Sequence, residues 1–216
     1  MLCERIGVLG HQLREHVELP PQLLHELGVV PSYYLHYFYR HDEVLAEQLT
    51  GVPRAAEVAE IERELLELYR DPALTEKPAL LERRGGAYYS EAAIGLVKAL
   101  VSGSGDVHVV DVRNDGAIPG LADDDVVEIP VRIDSDGPVP LPQAPVAPEL
   151  LGLMQHVAAY ERLAARAARE GDVTLARKAL LAHPLVGQHQ LSTELVDRLL
   201  EAGEAHLPQF PRRVTA

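Results

Sequence analysis

The stretch VHVVDVRNDGAIPGLADDDVVEIPVRI, Val107 to Ile133, decides the fold class, because it interrupts a chain whose apolar spacing is otherwise helical. Val107 to Val112 and Val126 to Ile133 are rich in β-branched residues, which favour strands. Between them RNDGAIPG, Arg113 to Gly120, carries turn chemistry. DSDG, Asp134 to Gly137, repeats it ahead of the proline-rich PVPLP, Pro138 to Pro142. The pattern predicts a small antiparallel sheet. Proline cannot donate to a ladder, so Pro130 is expected at an edge or a bulge.

On the N-terminal side, Gln22 to Leu27 predicts a short helix stopped by Gly28, and Pro31 then opens a new helix containing an aromatic stretch. After a break at Thr50 and Gly51, Pro53 opens a third helix. In it Val58, Ile61, Leu65 and Leu68 recur at steps of three or four, while Glu57, Glu60, Glu62, Glu64 and Glu67 fall mostly on the other face. A turn at Gly85 and Gly86 feeds a further helix that ends near Gly103 and Gly105. On the C-terminal side a helix from Pro148 is closed by Gly171. Asp172 is the expected N-cap of the next helix, which stops at Pro184, and Ser192 the expected N-cap of the last. The sum is a mostly helical α+β fold, read as one domain over residues 1–216, with a partly irregular segment at 1–21 and a loose tail at 208–216.

Composition narrows the function. With 47% hydrophobic residues the chain can bury a core, and Lys+Arg 20 against Asp+Glu 33 gives a net charge of -13. Such a field repels phosphate backbones and anionic membrane surfaces, and the only basic cluster without acidic neighbours is Arg212 with Arg213 in the tail. Neither nucleic acid nor membrane is an expected partner. The single cysteine, Cys3, cannot form an internal disulfide, and neither a secretory leader nor a run of about 20 apolar residues is visible, so a cytoplasmic protein is expected.

Familiar catalytic motifs are missing: there is no GxGxxG after a strand, no P-loop, no HExxH and no GxSxG, and IGVLGH, Ile6 to His11, reads as a turn. His36 and His41 are five apart and do not share a helix face, so no metal site is expected from this chain alone. Three constellations remain. In VVPSYYLHYFYR, Val29 to Arg40, a continuous helix would stack Tyr33 on Tyr37 and Tyr34 on Phe38; core packing is the ordinary reading of such a run. In TGVPRAAEV, Arg54 stands at a helix start, where an anion would meet backbone N–H groups and a guanidinium; a solvated or salt-bridged Arg is the plain alternative. In RRGGAYYS, Gly85 and Gly86 permit close backbone approach beside the hydroxyls of Tyr88 and Tyr89, although a helix-start turn explains it nearly as well.

Taken together, PSYYLHYFYR, VPRAAEVAEIERELLELY, RRGGAYYSEAA, VVDVRNDGAIPGLADDDVVEIP, YERLAARAAREGDVTLARKALLAHPLV and HLPQF resemble the C-terminal domain of glycoside hydrolase family 4, in particular its 6-phospho-β-glucosidases. The resemblance runs from about Leu24 to Phe210 and implies a fold like that of the lactate dehydrogenase superfamily's C-terminal domain. It also implies a mechanism outside two-carboxylate glycoside hydrolysis, in which NAD transiently oxidises the sugar at C3, a tyrosine removes the acidified C2 proton, and a divalent metal, typically manganese, steadies the charge. The tyrosine of the family's P-x-x-Y-L-x-Y motif falls on Tyr34, and the arginine that grips the substrate's 6-phosphate falls on Arg54. A tyrosine base needs adjacent positive charge, since a phenol ordinarily loses its proton near pH 10, and an Arg fork suits a phosphate dianion.

The family's Rossmann domain and its metal-holding Cys and His have no counterpart in these 216 residues; Cys3 lacks the family's surrounding residues, and Phe38 and Ala122 stand where Tyr and Pro are common. Neither NAD nor metal is therefore expected to bind this chain alone. The implied partners are a phosphorylated disaccharide or 6-phospho-glucoside, a separate Rossmann-domain chain and further copies in a homo-oligomer, with the isolated chain inert. The alternatives are a non-catalytic remnant serving as an oligomerisation module and a lactate or malate dehydrogenase-like domain, for which no His-Asp relay is visible.

Overall fold

The computed structural model describes residues 19–84 and 89–210; the readings of Cys3, Ile6 to His11, Gly85, Gly86, Tyr88, the Tyr89 side chain, Arg212 and Arg213 lie outside the described residues. The chain forms two compact units, one up to Tyr89 and one from Ser90.

The first unit is helical. Helix α1 (Pro21–Leu27) ends at Gly28 in the left-handed conformation, as expected, and buries Leu24 with Leu19 against Leu23 and Tyr39. The aromatic stretch departs from the predicted single helix. Tyr33–Leu35 form a 3-10 turn, α2 is only His36–Tyr39, and Arg40 breaks the backbone (φ -123, ψ 36) before α3 (His41–Thr50). The His36 side chain supplies a reason. Its Nδ1–H donates to the Tyr33 carbonyl at 2.5 Å, occupying the acceptor that a continuing α-helix would offer to the Tyr37 N–H. The expected stacking of Tyr33 on Tyr37 and Tyr34 on Phe38 is accordingly replaced by rings gathered on His36, with Tyr33 at 4.5 Å and Tyr37 at 3.9 Å. Beyond Gly51, α4 (Arg54–Leu68) buries Ile61 and Leu65 of the predicted face, while Val58 is half-buried and Leu68 exposed, and α5 (Leu80–Arg84) packs on it.

The second unit begins with α6 (Tyr89–Ser102) and then the predicted antiparallel sheet, β1 (Val107–Arg113), β2 (Val126–Asp134) and β3 (Gly137–Pro140), in the order β1-β2-β3. Alternation along β2 buries Val127, Ile129, Val131 and Ile133 on one face against Ala99 of α6 and Ile118 of the β1–β2 connection. Pro130 lies in the middle strand, not on an edge strand. It is tolerated there because its carbonyl accepts from Leu141 N–H at 3.1 Å, so its nitrogen faces the same side, just beyond the point where β3 stops.

The β1–β2 connection is organised by one buried side chain. Asn114, 1% exposed, accepts from Ile118 N–H at 2.7 Å through Oδ1 and donates through Nδ2 toward the carbonyls of Ile118, Leu121 and Ala122, each at 3.2 Å. Gly120 then meets α7 (Pro148–Glu170): its carbonyl accepts from Gln155 at 2.8 Å, and a Cβ there would lie 2.9 Å from Leu151. Arg162 of the same helix binds Asp125 and Asp124, each at 2.5 Å.

Gly171 closes α7 in the left-handed conformation, and Asp172 caps α8 (Val173–Ala182) by accepting from Thr174 and Leu175 N–H groups at 2.7 and 3.0 Å, both as expected. Ser192 does not cap the last helix. That helix, α9 (His189–Ala202), begins three residues earlier, and the Ser192 hydroxyl, buried inside it, donates back to the His189 carbonyl at 2.8 Å. Small residues such as Ala164 and Ala179 leave a cavity of about 200 Å³ bounded also by Tyr160, Val196, Leu207 and Phe210. Gln209 donates to the Ala168 carbonyl at 2.8 Å, and a side chain at Gly171 would collide with the Gln209 carbonyl, at 1.9 Å from its Cβ.

Asn114→Ala should lower the stability of the second unit by about 3 kcal/mol in urea denaturation, because it leaves buried carbonyls and an N–H without partners. His183 supplies a pH test. Burial lowers its pKa from the ordinary 6.5, and its Nδ1 accepts from Leu185 N–H at 3.1 Å, which requires a neutral ring. Below about pH 6.5 the unfolded chain takes up the proton more readily than the folded one, so stability present above that pH is lost as pH falls. Denaturation midpoints measured from about pH 7 to about pH 5 should fall less steeply in His183→Gln than in the unsubstituted chain.

Candidate functional site

Tyr34 and Arg54 both belong to the first unit, on elements whose local structure determines what each side chain can reach. Pro31 and an extended Ser32 lead into the 3-10 turn, whose first bond runs from Leu35 N–H to the Ser32 carbonyl at 2.9 Å. Tyr34, in the middle of that turn, is turned outward and 72% exposed. Its ring meets Tyr33 edge-on at 5.6 Å, and its hydroxyl makes no hydrogen bond among the described residues. Only part of the aromatic group joins a core: Tyr39 packs against Leu19 and Leu24, and Tyr37 is half-buried. Tyr33 and Phe38 are 42% and 39% exposed, and the buried member is His36, at 3%.

Arg54 is the first residue of α4, following Pro53 in extended conformation. Nη1 pairs with Glu57 Oε2 at 2.6 Å, one helical turn on, and Nη2 donates to the Arg83 carbonyl at 2.7 Å. The second bond joins two motifs that lie 29 residues apart, TGVPRAAEV and RRGGAYYS. Nη2 also lies 3.5 Å from the Arg84 carbonyl, so both terminal nitrogens of the fork have partners, and the side chain is restrained at its tip. Alongside, Arg84 Nη2 and Nε reach Glu62 Oε1 at 2.6 and 3.0 Å. No hydrogen bond or ion pair joins Tyr34 to Arg54 directly.

The sequence did not single out His36, Glu57 or Arg83 for these roles. Glu57 carried a usable signal, since i and i+3 on a helix are neighbours. Arg83 carried none, because its contribution is a backbone carbonyl brought in by the packing of α5 on α4. Among the described residues no three His, Cys, Asp or Glu side chains converge into a group able to hold a metal. No helix among them is long and apolar enough to cross a membrane.

The chain belongs to the family 4 glycosyl hydrolases: residues 10–186 match that family's C-terminal domain. It is 38% identical over 203 residues to a Bacillus subtilis protein named a probable 6-phospho-β-glucosidase, covering 92% of this chain and 46% of the relative. It is 33% identical over 193 residues to the 6-phospho-β-glucosidase of Escherichia coli, covering 87% and 43%. The Thermotoga maritima 6-phospho-β-glucosidase, solved with NAD and glucose-6-phosphate, superposes with a TM-score of 0.81 at 34% identity, over 88% of this chain and 46% of that one. The same enzyme has also been solved with manganese, NAD+ and glucose-6-phosphate. The chain therefore spans a little under half the length of these relatives.

Exposure sorts the aromatic cluster by role. Tyr34→Phe should leave the thermal unfolding midpoint unchanged, whereas His36→Ala, which removes a buried ring and its bond to the Tyr33 carbonyl, should cost about 2 kcal/mol in denaturant titration.

Proposed function

We propose that this chain is the substrate-binding half of a 6-phospho-β-glucosidase, with Tyr34 as the base that takes the sugar's C2 proton and Arg54 as the ligand of its 6-phosphate. The observation that carries the reading is the outward, unbonded Tyr34 hydroxyl in a chain that is 38% identical over 92% of its length to a protein of that name. A base must reach its proton, and a hydroxyl tied up by the core could not.

In this reading NAD and manganese act from outside these residues, supplying transient hydride removal at C3 and positive charge beside the sugar. This chain's own work is narrower. Arg54 holds the phosphate by charge-assisted hydrogen bonds and so fixes the distance from phosphate to ring, which orients C2 toward a base. Were C3 oxidised by the nucleotide half, Tyr34 as the phenolate would take the C2 proton while the C1–O bond to the aglycone breaks; water added across the resulting double bond and hydride returned to C3 would complete the hydrolysis. A nucleotide-binding half, as a separate chain or a further segment, and a second copy of this chain are the protein partners. The row Ile94, Val97 and Val101 on α6, 69%, 59% and 84% exposed, supports a need for such partners, because a helix apolar on both faces is normally covered on both.

The test is reconstitution with the N-terminal half of the Bacillus subtilis relative, NAD and manganese. A chromogenic 6-phospho-β-glucoside should be cleaved only when both halves are present, and Tyr34→Phe should reduce turnover by at least about 100-fold and abolish C2 proton exchange. Turnover by this chain alone would overturn the assignment of the redox step to another segment, and full activity of Tyr34→Phe would overturn the assignment of the base.

A further inference from the structure

Two guanidiniums share one carboxylate at the start of α4. Glu57 Oε2 lies 2.6 Å from Arg54 Nη1, and Glu57 Oε1 lies 4.0 Å from Arg83 Nη2. The second distance is too long for a hydrogen bond, so Arg83 is drawn toward Glu57 by charge without being locked to it. Its side chain is 65% exposed. Arg54 reaches the backbone of the same residue, which places the Arg83 main chain within 2.7 Å of the Arg54 fork. On the same ridge Arg84 is paired with Glu62 at 2.6 Å, which leaves Arg54 and Arg83 to share Glu57.

We propose that Arg83 is a second contact for the substrate's phosphate, and that Glu57 is the acceptor the phosphate displaces. This rests on the reading of Arg54 as a phosphate ligand and extends it. A carboxylate offers two oxygens and one negative charge to the two forks. A phosphate monoester offers three terminal oxygens and a charge between about -1.5 and -2 at neutral pH, so it can bond both guanidiniums at once where Glu57 bonds only one. The displaced Glu57 side chain, 44% exposed, returns to water at small cost. Until then it keeps two like charges together that would otherwise repel. The device thus sets specificity: a neutral sugar cannot compete with the carboxylate, and a phosphorylated one can.

The exchange predicts opposite signs for its two members, which a purely structural role does not. Titration of the full chain with glucose 6-phosphate, with glucose as control, should show Arg83→Gln binding about five-fold more weakly and Glu57→Gln about five-fold more tightly. Arg83→Lys should retain part of the affinity, having the charge without the fork. Arg63→Gln, whose partner Glu60 lies elsewhere on α4, should bind as the unsubstituted chain does. Weakening by Glu57→Gln would make it a support for Arg54 and overturn the exchange. If Arg54→Gln weakens binding while Arg83→Gln and Glu57→Gln do not change it, this inference falls and the reading of Arg54 stands. If Arg83→Gln weakens binding and Arg54→Gln does not, the reading of Arg54 falls instead. Failure of the unsubstituted chain to bind glucose 6-phosphate saturably would overturn both.

Discussion

The second unit depends on the need to satisfy the backbone of a connection driven into its core. Residues between β1 and β2 place Ile118 and Leu121 in the apolar cluster, and their polar groups go with them. Asn114 meets that demand, its side chain bonding one N–H and three carbonyls of the loop. An amide carries an acceptor oxygen and a nitrogen with two N–H donors in one plane, and it matches a loop that presents both kinds of group. Once the loop is folded on Asn114, Gly120 lies against Leu151 and Asp125 lies within reach of Arg162, so the sheet and α7 are joined at two points.

The candidate site follows a different logic, in which little is buried and much is held at the surface. Tyr34 is available because His36, two residues on, takes the interior position and diverts the backbone into a 3-10 turn. Arg54 is held because α5 ends beside it and presents a carbonyl that a five-residue helix leaves without an internal partner. Both arrangements restrict a side chain without removing it from water.

Much of this was legible beforehand. The three strands, the caps at Gly28, Gly171 and Asp172 and the buried face of α4 follow from local chemistry and periodicity, which tertiary packing had no cause to override. The departures have local competitors. A helix through Tyr33 to Tyr39 lost to a histidine that bonds a backbone carbonyl, and Ser192, a good cap by type, bonds its own helix instead. Pro130, expected at an edge or a bulge, lies instead in the middle strand, just beyond the point where β3 stops.

For the site, residue types alone favour a core role for Tyr34 and a solvated or salt-bridged Arg54; only the resemblance, carried by several ordered motifs, implies a base and a phosphate ligand at these positions. What the sequence determined on its own was therefore the α+β class, the caps at Gly28, Gly171 and Asp172 and the family resemblance, which rest on short segments and their order. Tertiary structure alone decided that Tyr34 faces outward while His36 is buried, and that Arg54 is tethered to a residue 29 positions away with Glu57 between two guanidiniums. Exposure and long-range contact depend on where other segments pack, and no local preference of the residues concerned encodes that.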